Sequence, residues 1–505
     1  MIGGGNMGIL NIGLFIAVMI AAGSYGWGMR GTTIGGEKGA MLPGALLGAF
    51  IAVFSGIPVM RENFFVFSAL GAVGMYFGGA MSYGETLALS MSSRPAQNMK
   101  KGLIALIVKG FLWYGVFGFI FSVGTQLICG EYTLPELIIL FVLFPVCMVG
   151  GFFLFNKPLD PKNSKFPKIY FSYTRQESWG SLVGAFVLFL VFSIIKKSFF
   201  AIIFSCICAV FGALGWLLGQ LFHIYAKNYA RDGKNAVSRF FAGKYCSPWK
   251  IMETVLGAFG GLGAAIGFIV EYDKFEAVTH SLEMNGGLTP LSLSLSRVLI
   301  IVWICLICLD MSHYFILNGN SSANDIKKLF LNGVIDEEEY KKRVAERNKK
   351  NAARYLKFES ICEGCEPFIY AGFPFLLISL GDAEAAKFVS FFILYWVVIQ
   401  EVCFEKFTDK FLGISSKVIA SAFGVFIAVL QFSYGRTPNF IQTIIMYGVF
   451  YEAITLFWIV YKHFKKNKNT DRQPTLSGLV KSATSTVHIY FMLCIAFITL
   501  VSFII

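Results

Sequence analysis

Residues 64–90 read FFVFSALGAVGMYFGGAMSYGETLALS. The stretch exceeds the roughly twenty apolar residues that a helix needs to cross a bilayer, yet it carries Glu85 inside Ser82-Tyr83-Gly84-Glu85-Thr86. A charge at the bilayer centre costs at least about 2.5–3.5 kcal/mol. An acid kept in such a segment is expected to face a polar pathway or a membrane-embedded site, or else to sit at the interface. Ser82 and Thr86 lie one helical turn apart and flank one face, with Glu85 beside it.

The same pattern fills the chain. Apolar stretches at 8–27, 40–58, 64–90, 102–128, 134–155, 178–195, 198–226, 251–270, 293–317, 367–382, 385–404, 411–433, 437–461 and 482–505 predict an all-α polytopic membrane protein of about fourteen transmembrane helices. Composition agrees: 56% of the 505 residues are hydrophobic and only 14% charged, with a mean hydropathy of +0.65 that sets the chain apart from soluble domains. The first apolar run, Ile9 to Ile20, reads as a spanning helix, not a cleavable signal peptide. Three parts are expected: an N-terminal membrane bundle over 1–317, a helical hairpin insertion over 318–366, and a C-terminal membrane bundle over 367–505.

Charge then orients the chain. Loops after the odd-numbered spans are basic, as in Arg94, Lys100 and Lys101 or Lys227, Arg231 and Lys234; loops after even-numbered spans are short or acidic. The positive-inside rule places the basic loops and 318–366 in the cytoplasm and both termini outside, in a cytoplasmic (inner) membrane. Lys196-Lys197 breaks the pattern. The formal charge of +13 is thereby assigned to loops and anionic lipid headgroups. Nucleic acid is excluded as a partner, since no basic helix or aromatic-lined groove accompanies the charge.

Glycine, at 52 residues, marks helix packing. Gly44/Gly48, Gly74/Gly78, Gly180/Gly184, Gly215/Gly219 and Gly257/Gly261 have the G-x-x-x-G spacing, which lets helices approach closely where no hydrophobic effect drives their association. Leu47-Gly48-Ala49-Phe50 recurs as Val183-Gly184-Ala185-Phe186 and Leu256-Gly257-Ala258-Phe259. Two readings stand: a weak parallel internal repeat, or common vocabulary of glycine-rich membrane helices.

In the polar insertion, Ser322-x-x-Asp325 has the form of a capping box, Asn332-Gly333 turns the chain, and Asp336-Glu337-Glu338-Glu339 begins a second helix. The stretch DIKKLFLNGVIDEEEYKKR, within residues 324–350, resembles the short helical hairpin called SHOCT. That resemblance implies oligomerisation or docking of a protein partner through 318–366.

Candidate functional residues are dispersed. Trp27-Gly28-Met29-Arg30-Gly31-Thr32-Thr33-Ile34-Gly35-Gly36-Glu37-Lys38-Gly39 reads as a glycine-rich joint between the first two spans. Glycines can turn backbone N–H groups toward an anion, and Arg30 can hold a carboxylate or phosphate by two parallel hydrogen bonds. Arg30, Thr32, Glu37, Tyr83 and Tyr447 are the expected substrate contacts. Glu85, Glu452, Asp310 and His313 are the expected ion-coupling residues, because ionisable groups within spans are expensive unless used. Lys109 is a candidate counter-ion for one of the acids, or a snorkelling cation. Glu253, beside Trp249 and Lys250, suits the first turn of its helix, and His223 is read as an interface residue.

Cofactor and metal sites are not expected. Cys305, Cys308, Asp310 and His313 fall on two faces of one helix, and the Cys362/Cys365 pair has no further ligands at metal-binding spacing. Three function classes follow. The first is a secondary transporter or exporter of a polar, anionic or lipid-linked solute, coupled to protons or cations, with membrane lipids as its surroundings. The second is an integral-membrane transferase acting on a lipid-linked sugar or acyl donor, with Glu37 as base and Arg30 on phosphate. The third is a membrane assembly component working through 318–366.

Overall fold

The computed structural model describes residues 9–33, 36–79, 83–91, 96–156, 177–229, 247–280, 295–307, 366–380 and 383–394, with isolated positions elsewhere, chiefly 334–339. Among these residues the protein is all-helical. In chain order the helices are α1 (Ile9–Thr33), α2 (Gly36–Phe54), α3 (Pro58–Glu62), α4 (Phe64–Gly79), α5 (Gly84–Met91), α6 (Ala96–Ile128), α7 (Leu134–Phe155), α8 (Trp179–Ile195) and α9 (Phe199–Tyr229). They are followed by α10 (Pro248–Val270), α11 (Tyr272–His280), α12 (Leu295–Ile307), α13 (Phe368–Ser379, opening with a π turn) and α14 (Ala383–Phe392). Four of them, in α6, α7, α9 and α10, are long and apolar enough to cross a membrane by length and composition; α1, α2, α4, α8, α12 and α13 contain shorter apolar helices.

Helices α1, α2, α4, α6, α9 and α10 form a closed ring, each packed on the next and α10 returning to α1. Neighbours run antiparallel. Along α1 and α10, Gly23 meets Gly257 while Met19 meets Gly261; along α2 and α4, Gly44 meets Gly71 while Gly48 meets Phe67; along α6 and α9, Gly110 meets Gly212 while Gly118 meets Ser205. At Gly23, Gly44 and Gly48 an added Cβ would land on a carbonyl oxygen of the facing helix. Only glycine lets these backbones touch, and in an apolar medium such close packing takes over the role that hydrophobic burial plays in water.

All five G-x-x-x-G pairs lie at such approaches. Gly74 and Gly78 face Phe117 and Trp113 of α6, and Gly215 and Gly219 face α10 at Leu256 and Met252. Gly180 and Gly184 hold α8 against α7, at Gly151 and Cys147. The recurring Gly-Ala-Phe motif therefore marks three similarly built crossings, through Gly48, Gly184 and Gly257.

Polarity is arranged inside out relative to a water-soluble protein. Helix α7 exposes Ile139, Val142, Val146, Val149, Phe153 and Leu154, and α8 exposes Val187, Val191, Ile194 and Ile195, whereas Lys109, Glu177, Gln220, His223 and Glu253 are buried. An apolar rim of this extent suits lipid and would be a liability in water. Lys196-Lys197 is accounted for locally. Lys196 pairs with Glu136 at the start of α7 and stands 5.5 Å from the centre of the Tyr132 ring, while Lys197 takes a left-handed turn conformation at φ 56°. Tyr132 and Ser198 both donate to Gln126 Oε1, at 2.6 and 2.7 Å, and burial pushes the Tyr132 phenol up to about 12, keeping it a neutral donor.

Three expectations are corrected. The joint at 27–39 is mostly helix: α1 continues to Thr33 and α2 starts at Gly36, so Trp27 is a fully buried core residue and not part of a loop. The stretch 64–90 is not one helix but two, α4 and α5. Glu253 is not a first-turn acid; it lies past the first turn of α10, which holds no acid, and is fully buried. In the insertion, Asp336 accepts from the Glu339 backbone N–H at 2.7 Å and Glu339 pairs with Arg343, a capped helix start at the expected place; the rest of the hairpin lies outside the described residues.

Gly257→Val should break the α1–α10 approach and destabilise the fold by about 1–3 kcal/mol through overpacking. Gly150→Val, where a Cβ meets nothing within 4 Å, should leave the melting temperature in detergent unchanged. Equal melting temperatures for the two variants would contradict this account of the ring.

Candidate functional site

The site is built on the break between α4 and α5. Helix α4 ends in Gly78-Gly79, residues of low helix propensity, and the last four carbonyls of any helix lack an internal donor. Just before them, the Met75 carbonyl receives the indole N–H of Trp113 at 2.9 Å. The Trp113 ring occupies the space where a Cβ of Gly78 would stand. Helix α4 ends there, and α5 begins at Gly84.

Helix α5 and the residue before it contact three other helices. Thr86 Oγ1 accepts from Lys109 Nζ of α6 at 2.8 Å. Gln220 Nε2 of α9 donates to Ser90 Oγ at 2.6 Å and to the Leu87 carbonyl at 3.3 Å. Tyr83, just before α5, donates to Glu253 Oε1 of α10 at 3.4 Å. The buried face of α5 is Thr86, Leu87 and Ser90, two of them hydroxyl-bearing, and Gly102 of α6 packs directly against the Ser90 backbone.

Lys109 has a second partner. Its ammonium lies 3.0 Å from Glu177 Oε1, and both side chains are 1% exposed. Glu177 sits one residue before the Ser178 N-cap of α8, where a helix terminus also favours negative charge. Asn156, at the end of α7, accepts from the Gly180 N–H and so ties α8's start to α7. Lys109 is thus held in a buried ion pair and does not snorkel. It joins α5, α6 and the entry to α8.

Beside this ion pair the ring interior is aromatic. Trp27 lies 5.1 Å from Trp113 and 5.9 Å from Trp216, centre to centre. Tyr83 packs edge-on against Trp216 at 4.9 Å and lies 6.2 Å from Trp249. Trp27 donates to the Tyr114 hydroxyl at 2.7 Å. His223 meets Trp249 at 5.8 Å, with its Nδ1 3.1 Å from Gln220 Oε1, and is buried within the bundle. The Trp216 indole N–H is buried with no hydrogen-bond acceptor among the described residues, and buried donors normally have one.

Of the expected substrate contacts, Tyr83 stands in this cluster. Arg30 and Thr32 lie on the last turns of α1 and Glu37 on the first turn of α2; Glu85 lies on α5; their side chains are outside the described residues. The α1–α10 register, with Gly23 at Gly257 and Gly28 at Thr254, carries the Arg30 turn to the end of the ring where Trp249 and Glu253 lie. Asp310, His313, Tyr447 and Glu452 lie outside the described residues. Among those described, no cluster of three or more histidine, cysteine or acidic side chains could hold a metal ion.

Reading the sequence missed Glu177, Gln220 and the buried tryptophans. A usable signal was present: Trp113 and Trp216 fall in mid-span, away from the interfacial belts where membrane tryptophans concentrate. No protein family, curated protein or solved structure matches this chain. The functional assignment therefore rests on these residues.

Removing one partner of a buried ion pair costs about 3–5 kcal/mol, whereas replacing both with apolar residues is often neutral. Lys109→Met or Glu177→Leu alone should therefore lower thermal stability sharply, and the double variant should recover most of the loss. Additive losses in that cycle would show that the two side chains do not interact.

Proposed function

We propose that this protein is a secondary transporter or exporter in the cytoplasmic membrane. It moves a polar solute, anionic or lipid-linked, through the six-helix ring, coupled to a proton or cation. The observation that carries this reading is the broken span. A span interrupted between α4 and α5, where Lys109 and Gln220 bond α5, Glu177 pairs with Lys109 and Glu253 meets Tyr83, follows the way transporters build sites from discontinuous helices. Charges buried in an apolar bundle are expensive and are kept where a pathway needs them.

In this reading Tyr83 and the tryptophans line the solute path, and Trp216 donates to the solute. Arg30, Thr32 and Glu37 meet an anionic group at the cytoplasmic end, with Tyr447 added from the C-terminal bundle. Glu253 joins Glu85, Glu452, Asp310 and His313 as a coupling residue. The full chain crosses the membrane about fourteen times, with basic loops and the 318–366 hairpin inside and both termini outside. The transferase reading rests on Arg30 and Glu37 alone, and no observation here favours it over transport.

The purified protein should be reconstituted into liposomes enclosing a pH-sensitive dye and challenged with phosphorylated, carboxylated and polyprenyl-linked sugars. One class should drive proton movement, and Glu253→Gln should reduce that movement at least about tenfold while solute binding survives, since only coupling is lost. Full coupled flux in Glu253→Gln would overturn the assignment of Glu253. Product formation without any solute movement would favour the transferase.

A further inference from the structure

Glu253 is fully buried, and a buried carboxylate is kept with a cation beside it or a proton on it. Tyr83 donates to it at 3.4 Å and brings no charge. Lys109 of α6 is held by Glu177 and Thr86. His223 of α9 has its Nδ1 on Gln220 and its ring against Trp249. Lys250, a turn before Glu253 on α10, is exposed, and α5 contributes another acid, Glu85.

The register of α1 against α10 supplies a cation. The two helices run antiparallel, with Met19 at Gly261, Gly23 at Gly257 and Gly28 at Thr254. Each further residue of α1 steps back by one along α10. Arg30 therefore stands level with Met252, about 1.5 Å along the axis from Glu253. It follows Trp27 by three residues, which puts both on one face of α1. That face is the interior one, since Trp27 donates to Tyr114 and packs on Trp113 and Trp216. Helix α1 continues through Thr33, so Arg30 is carried on a formed turn.

We propose that Arg30 and Glu253 form an ion pair at the basic end of the ring, and that an anionic group of the solute displaces Glu253 from the guanidinium. The incoming carboxylate or phosphate takes two parallel hydrogen bonds from Arg30. Glu253, left without its cation in aromatic surroundings, takes a proton from the solution at that end and becomes a neutral acid. The buried charge sums to zero before the exchange, as Arg30 and Glu253, and to zero after it, as Arg30 and the anion. A negative charge and a proton therefore enter together, because either alone leaves an uncompensated charge in the bundle. This rests on the transport reading and deepens it: the solute carries an acidic group, and the coupling ion is a proton.

Infrared difference spectroscopy of the protein in lipid at neutral pH reads a proton on Glu253 as a neutral carboxyl band. Arg30→Gln mimics the captured guanidinium and should create that band. Arg30→Lys, which keeps the charge, should not, and Arg30→Gln/Glu253→Gln should lose the band again. Arg30→Gln should also lower the melting temperature by several degrees, and adding Glu253→Gln should restore most of the loss. In the native protein, inorganic phosphate should raise the same band, and chloride at equal ionic strength should not. That measurement needs no variant and decides the matter even where Arg30→Gln fails to fold.

No band in folded Arg30→Gln, or additive losses in melting temperature, would overturn the ion pair. A native protein whose spectrum ignores phosphate would overturn the exchange. A pair and an exchange that pass both tests while no solute moves protons across liposomes would stand, and the transport reading alone would fall.

Discussion

Where a Cβ on Gly23 would stand on the carbonyl oxygen of Gly257, two helices can meet only because neither has a side chain there. The same contact recurs around the ring and in the α7–α8 hairpin. In an apolar surrounding, helix association gains little from burying more apolar surface, so dispersion over a closely matched backbone seam has to hold the bundle. Glycine is costly inside a helix in water, and its abundance here follows from that need. The ring closes because six antiparallel seams agree with one another.

A closed ring creates an inside, and the inside follows different chemistry from the rim. Outward faces of α7 and α8 carry valine, isoleucine, leucine and phenylalanine. The interior holds tryptophans, tyrosines and a small set of charged groups. Lys109 and Glu177 can be buried because each supplies the other's missing counter-charge and Thr86 accepts a further hydrogen bond; a single one of them would be untenable there. Thr86 of α5, Lys109 of α6 and Glu177 before α8 come together in one buried polar group.

Much of the fold was legible in the sequence. Hydropathy placed the apolar helices that are described up to residue 307, and the G-x-x-x-G pairs named the close crossings before any geometry was known. The break in 64–90 was not legible, because Gly78-Gly79 in a membrane segment reads equally as packing, and only the Trp113 ring against Gly78 decides it. Glu177 was invisible for another reason: its burial depends on Lys109, 68 residues earlier in the chain, and no local pattern connects them. Tyr83 was found through its neighbours Ser82 and Glu85, although its structural partner is Glu253, a long-range pairing that periodicity does not encode. The α1–α2 joint was misread because glycines that signal a loop in water can stay helical in a membrane bundle.

The central claim is that Glu253 is a working acid inside the ring and not a buried remnant. Infrared difference spectroscopy of the protein in lipid, taken across a pH titration, tests it directly. The account predicts a carboxyl band that titrates reversibly in the native protein and is missing from the Glu253→Gln spectrum. A native spectrum with no titrating band attributable to Glu253 would contradict it.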